Sequence, residues 1–413
     1  MEKICRRISE IGTVVGGGTP STKNPDYWGG DIPWISPKDL TDYKSVYISK
    51  GENFLTEKGL KSGTRLLPKN TLLFSSRAPI GYVALAANPI CTNQGFKSIV
   101  CDEKQVVPLY LYYYMKANLD YIKLFGTGAT FPEISGKTMG KIKVEIFKSL
   151  DVQHRIASIL STYDTFIENN TKRIRLLEKM AENLYKEWFV RFRFPGHENV
   201  EMENGLPKGW KVEKLGEWGI ELETGKRPKG GIDGSIKDGC PSLGAECIKE
   251  LASFDYSSVK MVPKDFYDSL KRGKNSGNDI LLYKDGAYIG KVTMFRDSFP
   301  YSEYSINEHV FFLSPMNIKY RNYLYFTLHQ KEFFAVMQIL NRNAAQPGLS
   351  RSDVERIKIV VPPSKIVELF DLQVERMLKV IFSLAKQNSL LARQRDLLLP
   401  RLMSGKLEVK VKE

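Results

Sequence analysis

The 413 residues are about two to three times the ~150-residue unit that one hydrophobic core favours, and 42% of them are hydrophobic. With 61 Lys+Arg against 47 Asp+Glu, the formal charge of +14 points to an anionic partner, nucleic acid or an anionic membrane surface, rather than to an acidic protein or a metal cation. No stretch approaches ~18 consecutive apolar residues, and Met1-Glu-Lys-Ile-Cys-Arg-Arg-Ile8 lacks an apolar core with a cleavage site, so a soluble, non-exported chain without membrane partners is expected. Five scattered cysteines without a Cys-x-x-Cys pair read as reduced thiols, not as a disulfide framework or zinc site.

In chain order, residues 1–150 read as a globular unit. A Gly/Pro-rich opening at Gly17-Gly-Thr-Pro20 leads into short β-type runs such as Thr71-Leu-Leu-Phe-Ser75. The aromatic run Tyr110, Tyr112, Tyr113 and Tyr114 has helical spacing; it reads as a buried helix face, with a base-stacking platform as the alternative. A small-residue loop, Gly126-Thr-Gly-Ala-Thr-Phe-Pro132, precedes a last strand. Residues 151–193 are Gly-free and largely charged, a long helix; residues 194–210 concentrate Pro and Gly and read as a linker.

Residues 211–362 repeat the first unit. Ile11-Gly12 recurs as Leu215-Gly216, Gly17-Gly-Thr-Pro20 as Gly225-Lys-Arg-Pro228, and Leu72-Leu-Phe74 as Leu281-Leu-Tyr283. Tyr110-Leu-Tyr-Tyr113 recurs as Tyr323-Leu-Tyr-Phe326, and Ile142-Lys-Val144 as Ile357-Lys-Ile359. The offsets grow in small steps, 204, 208, 209, 213 and 215, as loop insertions on a shared scaffold produce. Residues 363–405 form a second long helix, followed by a tail, 406–413.

Both long segments carry 3.5-residue spacing over four or more heptads, the mark of a coiled-coil seam. The first seam runs from Ile156 through Tyr163 and Asn170 to Trp188, and the second from Val367 through Asn388 and Arg395 to Leu402. Asn170 sits at a d position and Asn388 at an a position; antiparallel coils stack a on d. Setting Asn170 against Asn388 brings Ile156 opposite Leu402, Trp188 opposite Phe370 and Tyr163 opposite Arg395, where the guanidinium is expected on the ring or its hydroxyl. Pro400 should end or bend the second helix near its last turn. The expected fold class is α+β: two similar α/β domains joined by two long helices in an antiparallel coiled coil, a dumbbell with a pseudo-two-fold axis.

Catalytic chemistry is weakly signalled. Asn24-Pro-Asp-Tyr27 departs from the amino-methyltransferase pattern at its third residue and lacks a preceding Gly-rich cofactor loop. Asp26, Asp42 and Lys44 fit a loose Mg²⁺-nuclease pattern that the second copy lacks. The four histidines are too dispersed for a triad or metal cluster to be argued. The DNA-facing candidates are donors in and beside the Gly/Pro loops, because Arg and Lys reach guanine and phosphate while Asn and Gln pair with adenine. They are Lys23, Lys38, Arg77 and Lys137 in the first copy, and Lys226, Arg227, Lys229, Arg342, Asn343, Gln346 and Arg351 in the second. A solvated surface charge is the alternative reading for each.

Taken together, the chain resembles the specificity (S) subunit of type I restriction-modification enzymes, over essentially its whole length. The resemblance rests on Gly17-Gly-Thr-Pro-Ser-Thr-Lys-Asn-Pro-Asp-Tyr27 through Trp34-Ile-Ser-Pro-Lys-Asp-Leu40, on Gln153-His-Arg-Ile-Ala-Ser-Ile-Leu160, on Leu206-Pro-Lys-Gly-Trp210 and on Leu397-Leu-Leu-Pro-Arg-Leu-Met-Ser-Gly405. Ser149-Leu-Asp-Val-Gln153 departs from the family's Pro-x-x-Glu-Gln, and the first copy lacks a Leu-Pro-x-Gly-Trp start. The resemblance implies a non-catalytic subunit whose two domains each read half of a bipartite double-stranded DNA site. It implies helices that set the spacer and dock two methyltransferase (M) subunits. Those partners use S-adenosylmethionine to methylate adenine, separate restriction (R) subunits use ATP and Mg²⁺, and this chain holds no cofactor or metal in a prokaryotic cytoplasm. The competing readings are a stand-alone nuclease and a coiled-coil adaptor that binds other proteins.

Overall fold

The computed structural model describes residues 2–128, 132–234, 236, 238–286, 288–342 and 348–410, without the side chain of Arg342. The chain divides into two compact units, Met1–Asn169 with Ser389–Glu413, and Asn170–Asn388. Each unit takes one part of the central helix (Leu150–Tyr185) and one part of the C-terminal helix (Ser364–Ser404).

In the first unit, β1 (Lys3–Arg7) pairs antiparallel with β10 (Lys143–Phe147). The main sheet uses β2 (Gly12–Gly16), β4 (Tyr47–Ile48), β6 (Leu72–Ser76), β7 (Ile80–Ala86) and β9 (Lys97–Cys101), in the order β2-β9-β6-β7-β4. A smaller sheet orders β5 (Asn53–Leu55), β3 (Trp28–Ile35) and β8 (Cys91–Thr92), with β3 parallel to β8. Side chains alternate across a strand, so Leu72 and Phe74 join a core containing the aromatic helix Pro108–Ala117, while Leu73 joins a separate core with Ile35, Ile90 and Phe96. Burial on both faces explains why this strand reads as an unbroken apolar run. Tyr110, Tyr112, Tyr113 and Tyr114 are all buried in the first of those cores, which makes them packing residues and leaves no stacking platform.

The second unit repeats this plan. Here β11 (Lys211–Lys214) pairs with β19 (Lys358–Val361). The main sheet takes β12 (Ile220–Thr224), β15 (Asn278–Tyr283), β16 (Val292–Arg296) and β18 (Val310–Pro315) in the order β12-β18-β15-β16. The small sheet orders β14 (Lys260–Val262), β13 (Cys240–Leu243) and β17 (Ser305–Ile306), again with its central strand parallel to the last. The second aromatic helix (Arg321–Leu328) buries Tyr323, Tyr325 and Phe326.

The two long helices run antiparallel, and in each unit they meet along the heptad seams. Ile156 and Leu402 share the first unit's core. Trp188 and Phe370 meet in the second, ring centroids 6.1 Å apart. Gln153 fixes the start of the central helix: its buried amide donates to Phe147 O at 2.7 Å and accepts from Val107 N at 2.8 Å. Two details differ from expectation. The helix beyond Tyr185 continues as a π-turn, Lys186–Val190, which lets the consecutive Trp188 and Phe189 both be buried. The C-terminal helix also runs through Pro400 to Ser404, because Leu402 and Met403 are held in the core on the far side of the lost hydrogen bond. The linker segment is ordered by Trp210, which packs on Phe192 at 5.4 Å and Phe194 at 5.3 Å.

Candidate nucleic-acid interface

Both halves build one junction between the small sheet and the main sheet. A β-carbon on Gly17 would lie 2.0 Å from Asn93 O, and one on Gly225 would lie 1.6 Å from Ile306 O, so both loops leave their strands where only glycine fits. Opposite them, Asn93 Oδ1 accepts from Gly95 N at 2.9 Å and Asn307 Oδ1 accepts from His309 N at 2.9 Å. These Asx turns steer the chain from β8 into β9 and from β17 into β18.

The side chains around the two junctions differ. In the first half, Glu133 gathers two cations: Lys97 Nζ at 3.1 Å and Arg77 Nη1 at 3.5 Å. Lys97 also donates to Gln94 O at 3.2 Å, and its side chain is only 15% exposed. Thr19 donates its hydroxyl to Gln94 Oε1, tying the glycine loop to the Asx turn. In the second half Glu308 takes the organising role: Arg227 Nε lies 2.9 Å from its carboxylate, and Lys284 donates to its carbonyl at 3.4 Å. His309 Nδ1 faces Asp285 Oδ1, and Lys284 Nζ stands 5.1 Å over the Phe311 ring. Gly225, Lys226, Arg227, Pro228, Gly231 and Glu308 line an open depression.

The sequence candidates fall into three groups. Arg77 and the Lys226, Arg227, Lys229 run belong to these junctions; Lys226 and Lys229 are exposed and form no ion pair among the described residues. Lys23 is exposed in the turn before the Pro25–Tyr27 helix, and Lys137 is exposed on the helix Gly136–Lys141. Lys38 is bound to Glu52 at 2.9 Å, and the hydrogen bond it donates to that carboxylate holds its ammonium above the ordinary lysine value. Arg351 opens the helix Arg351–Glu355 and pairs with Glu355 at 2.7 Å. Asn343 and Gln346 lie outside the described residues; Arg342 ends the helix Lys331–Arg342, and its side chain lies outside them too. Lys97, Lys284 and His309 were not singled out from sequence: the first stands at the edge of an apolar strand and the other two flank strands, where a lone polar residue reads as a strand end. The one available signal was that Lys284 directly follows the repeated segment Leu281-Leu-Tyr283.

The remaining candidates resolve differently. Asp26 of the nuclease pattern pairs with Lys58 at 3.3 Å, while Asp42 and Lys44 are exposed after Leu40. In the helical seam, Asn170 Nδ2 donates to Gln387 Oε1 at 3.5 Å and Asn388 Nδ2 to Thr171 Oγ1 at 3.3 Å. The two amides are therefore level but bonded to each other's neighbours, where a direct bond was expected. Each carboxamide reaches past the facing asparagine to the residue beside it in sequence, Gln387 before Asn388 and Thr171 after Asn170. Arg395 likewise does not engage Tyr163; its guanidinium is bonded to Asp164 and Asp396, because a carboxylate outbids a ring for a charged donor.

The model of the type I restriction modification DNA specificity domain matches residues 3–179 and 207–398, once in each half. The MjaIX type I restriction enzyme specificity subunit of Methanocaldococcus jannaschii is 36% identical, over 98% of this chain and 93% of its own length. The EcoR124I/EcoR124II specificity subunit of Escherichia coli is 31% identical over 47% of this chain and 49% of its own. In fold, the chain is similar to the crystal structure of the S subunit of a type I restriction-modification system from M. genitalium, with a TM-score of 0.61 and 18% identity over 99% of this chain and 97% of that one. With its duplicated domains and paired long helices, the chain belongs to the family of type I restriction-modification specificity subunits.

Proposed function

We propose that each globular half reads one half of a bipartite double-stranded DNA site and that the paired helices set the spacer and dock two methyltransferase subunits. The observation that carries this reading is the repeated junction at Gly17/Asn93 and Gly225/Asn307: one backbone frame, presenting different donors in each half. A shared frame with unlike side chains suits two sequence-different half-sites. Around it, Arg77 and Arg227 are held in orientation by Glu133 and Glu308. Partly exposed pairs of this kind are worth only about 0–1 kcal/mol, so a phosphate or a guanine edge can take over the guanidinium at little cost. Lys23, Lys137, Lys226 and Lys229 then act on the phosphate backbone, while Lys38 and Arg351 contribute after leaving their local carboxylates.

The chain contributes no catalytic residue on this reading. S-adenosylmethionine is used by the methyltransferase subunits, and ATP and Mg²⁺ by restriction subunits. The test is to assemble the complex with residues 1–150 exchanged for those of a relative and to map methylated adenines in the DNA product. One half-site should change while the other half-site and the spacer stay; a change in both halves would refute the modular assignment.

A further inference from the structure

A cluster of chemically active groups lies on elements unconnected with the recognition junctions, where the central helix packs on the second aromatic helix. Glu178 and Glu182 are one turn apart on the central helix, and His329 caps the aromatic helix. One donor atom from each, two carboxylate oxygens and a ring nitrogen, fall within 4.8 Å of one another. His329 Nε2 lies 3.4 Å from Glu182 Oε1. Tyr325, one turn before His329, stacks on the imidazole at 5.3 Å. Tyr325 is wholly buried, and its hydroxyl has no hydrogen-bond partner among the described residues. The Glu178, Glu182 and Glu250 carboxylates stand near enough for their charges to act on that hydroxyl. Glu250 is already occupied by Lys291 at 3.2 Å.

The first half shows what this place ordinarily contains. Continuing the match of Tyr110-Leu-Tyr-Tyr113 with Tyr323-Leu-Tyr-Phe326 puts Tyr112 at Tyr325 and Lys116 at His329. Lys116 Nζ lies 3.3 Å from the Tyr112 hydroxyl and 5.3 Å over its ring, with Asp164 and Asp396 acting on its charge. The first half thus supplies its own cation. The second half replaces that ammonium with an imidazole, leaves the tyrosine hydroxyl bare and presents two carboxylates.

We propose that Glu178, Glu182 and His329 form a Zn²⁺ site that fastens the central helix to the second aromatic helix, beside the unpartnered Tyr325 hydroxyl. The mixed nitrogen and carboxylate donors suit zinc, whereas calcium and magnesium take oxygen ligands. The inference is independent of how DNA is read.

The experiment is calorimetric titration of ZnCl₂ into the full chain after chelator treatment, paired with Co²⁺ absorption spectra. One site is expected, at least about tenfold weaker in Glu178→Gln and absent in His329→Lys, which installs the first half's ammonium. Circular dichroism establishes that each variant is folded; if neither folds, the wild-type Co²⁺ spectrum decides. Nitrogen and oxygen ligation without a thiolate-to-cobalt charge-transfer band supports the site. No tight site, equal uptake by wild type and folded His329→Lys, or a thiolate band would overturn it.

Discussion

Asp164 on the central helix joins Arg395 of the C-terminal helix to Tyr113 of the first aromatic helix: the guanidinium bonds one carboxylate oxygen and the tyrosine hydroxyl donates to the other. Asp164 is buried and the Arg395 side chain is 17% exposed, so removing Asp164 leaves that mostly buried guanidinium only the exposed Asp396 carboxylate and takes the acceptor from the Tyr113 hydroxyl. Asp164→Ala should cost the first unit about 3 to 5 kcal/mol, read from its urea transition. Asp164→Leu with Arg395→Met should recover much of that loss. A cost of Asp164→Ala below about 1 kcal/mol would show that the triad is not a stabilising contact.

The asparagine layer should behave asymmetrically. Both amide nitrogens donate across the seam, but Asn388 Oδ1 is buried with no partner among the described residues, whereas Asn170 has no buried polar atom left unpaired among them. Asn388→Leu should therefore be neutral or stabilising, and Asn170→Leu should cost about 0.5 to 1.5 kcal/mol. Because the amides do not bond each other, a double-mutant cycle should return a coupling below about 0.5 kcal/mol. Strong coupling would mean a direct amide pair.

In the second unit, Arg296 holds Glu375 through both guanidinium nitrogens, at 2.8 and 2.6 Å. That hydrogen bond from Arg296 keeps the Glu375 carboxyl below its ordinary value, although burial works against it. A folded value below the unfolded one gives stability that is present above the unfolded pKa of ~4.3 and lost as pH falls through the folded value. Between about pH 5 and pH 3, wild type should lose stability more steeply than Glu375→Gln. Asp371 is raised by burial and also by the Glu375 charge, so both proteins are compared in an Asp371→Asn background, which takes its titration out of the difference. Parallel pH profiles of the urea midpoint would remove Glu375 as the cause.

Lys226 and Lys229 project from the second junction without ion pairs among the described residues. If both touch phosphate, the double alanine variant should lower the slope of log K against log salt by up to about 2, while leaving the preferred sequence unchanged. Arg227→Ala should instead relax preference in one half-site. An altered sequence preference in the lysine variant, measured by methylation mapping, would reassign those lysines to base reading.

Inserting four residues into each long helix near Asn170 and Asn388 adds about one turn, ~6 Å, to both. At ~3.4 Å per base pair the preferred spacer should lengthen by one or two base pairs with both half-sites intact. An unchanged spacer would show that the helices are not the ruler.

The seam was legible because burial along a helix imposes its period directly: Ile156, Leu160, Ile174 and Ala181 are buried on one helix, and Val367, Phe370, Val374 and Ile381 on the other. The duplication was legible for a similar reason, since Leu72-Leu-Phe74 and Leu281-Leu-Tyr283 fill equivalent strands buried on both faces. Polar geometry was not. Arg395 occupies a seam position, but its partner Asp164 stands one residue beside the seam, and Tyr113 reaches that carboxylate from another helix. No local period records such a meeting. Lys97 and Glu133 are likewise joined only when a strand edge and a later loop come together, so the sequence shows two charges where the fold makes one bridge.

The contacts at Gly17 and Gly225 also bear on how specificity can be exchanged. The loops are anchored by the room a backbone needs, with a carbonyl standing where any β-carbon would go; at Gly225 one residue is held this way, whereas in the first half Gly17 and Gly18 both are. Residues beyond the anchor are in effect cargo. The exchange is one-way: Gly18-Thr-Pro20 can follow Gly225 in place of Lys226-Arg-Pro228, whereas a lysine at position 18 would bring its β-carbon within 1.9 Å of Gly63 O, so the first half takes the second half's loop only if the Gly63 turn moves.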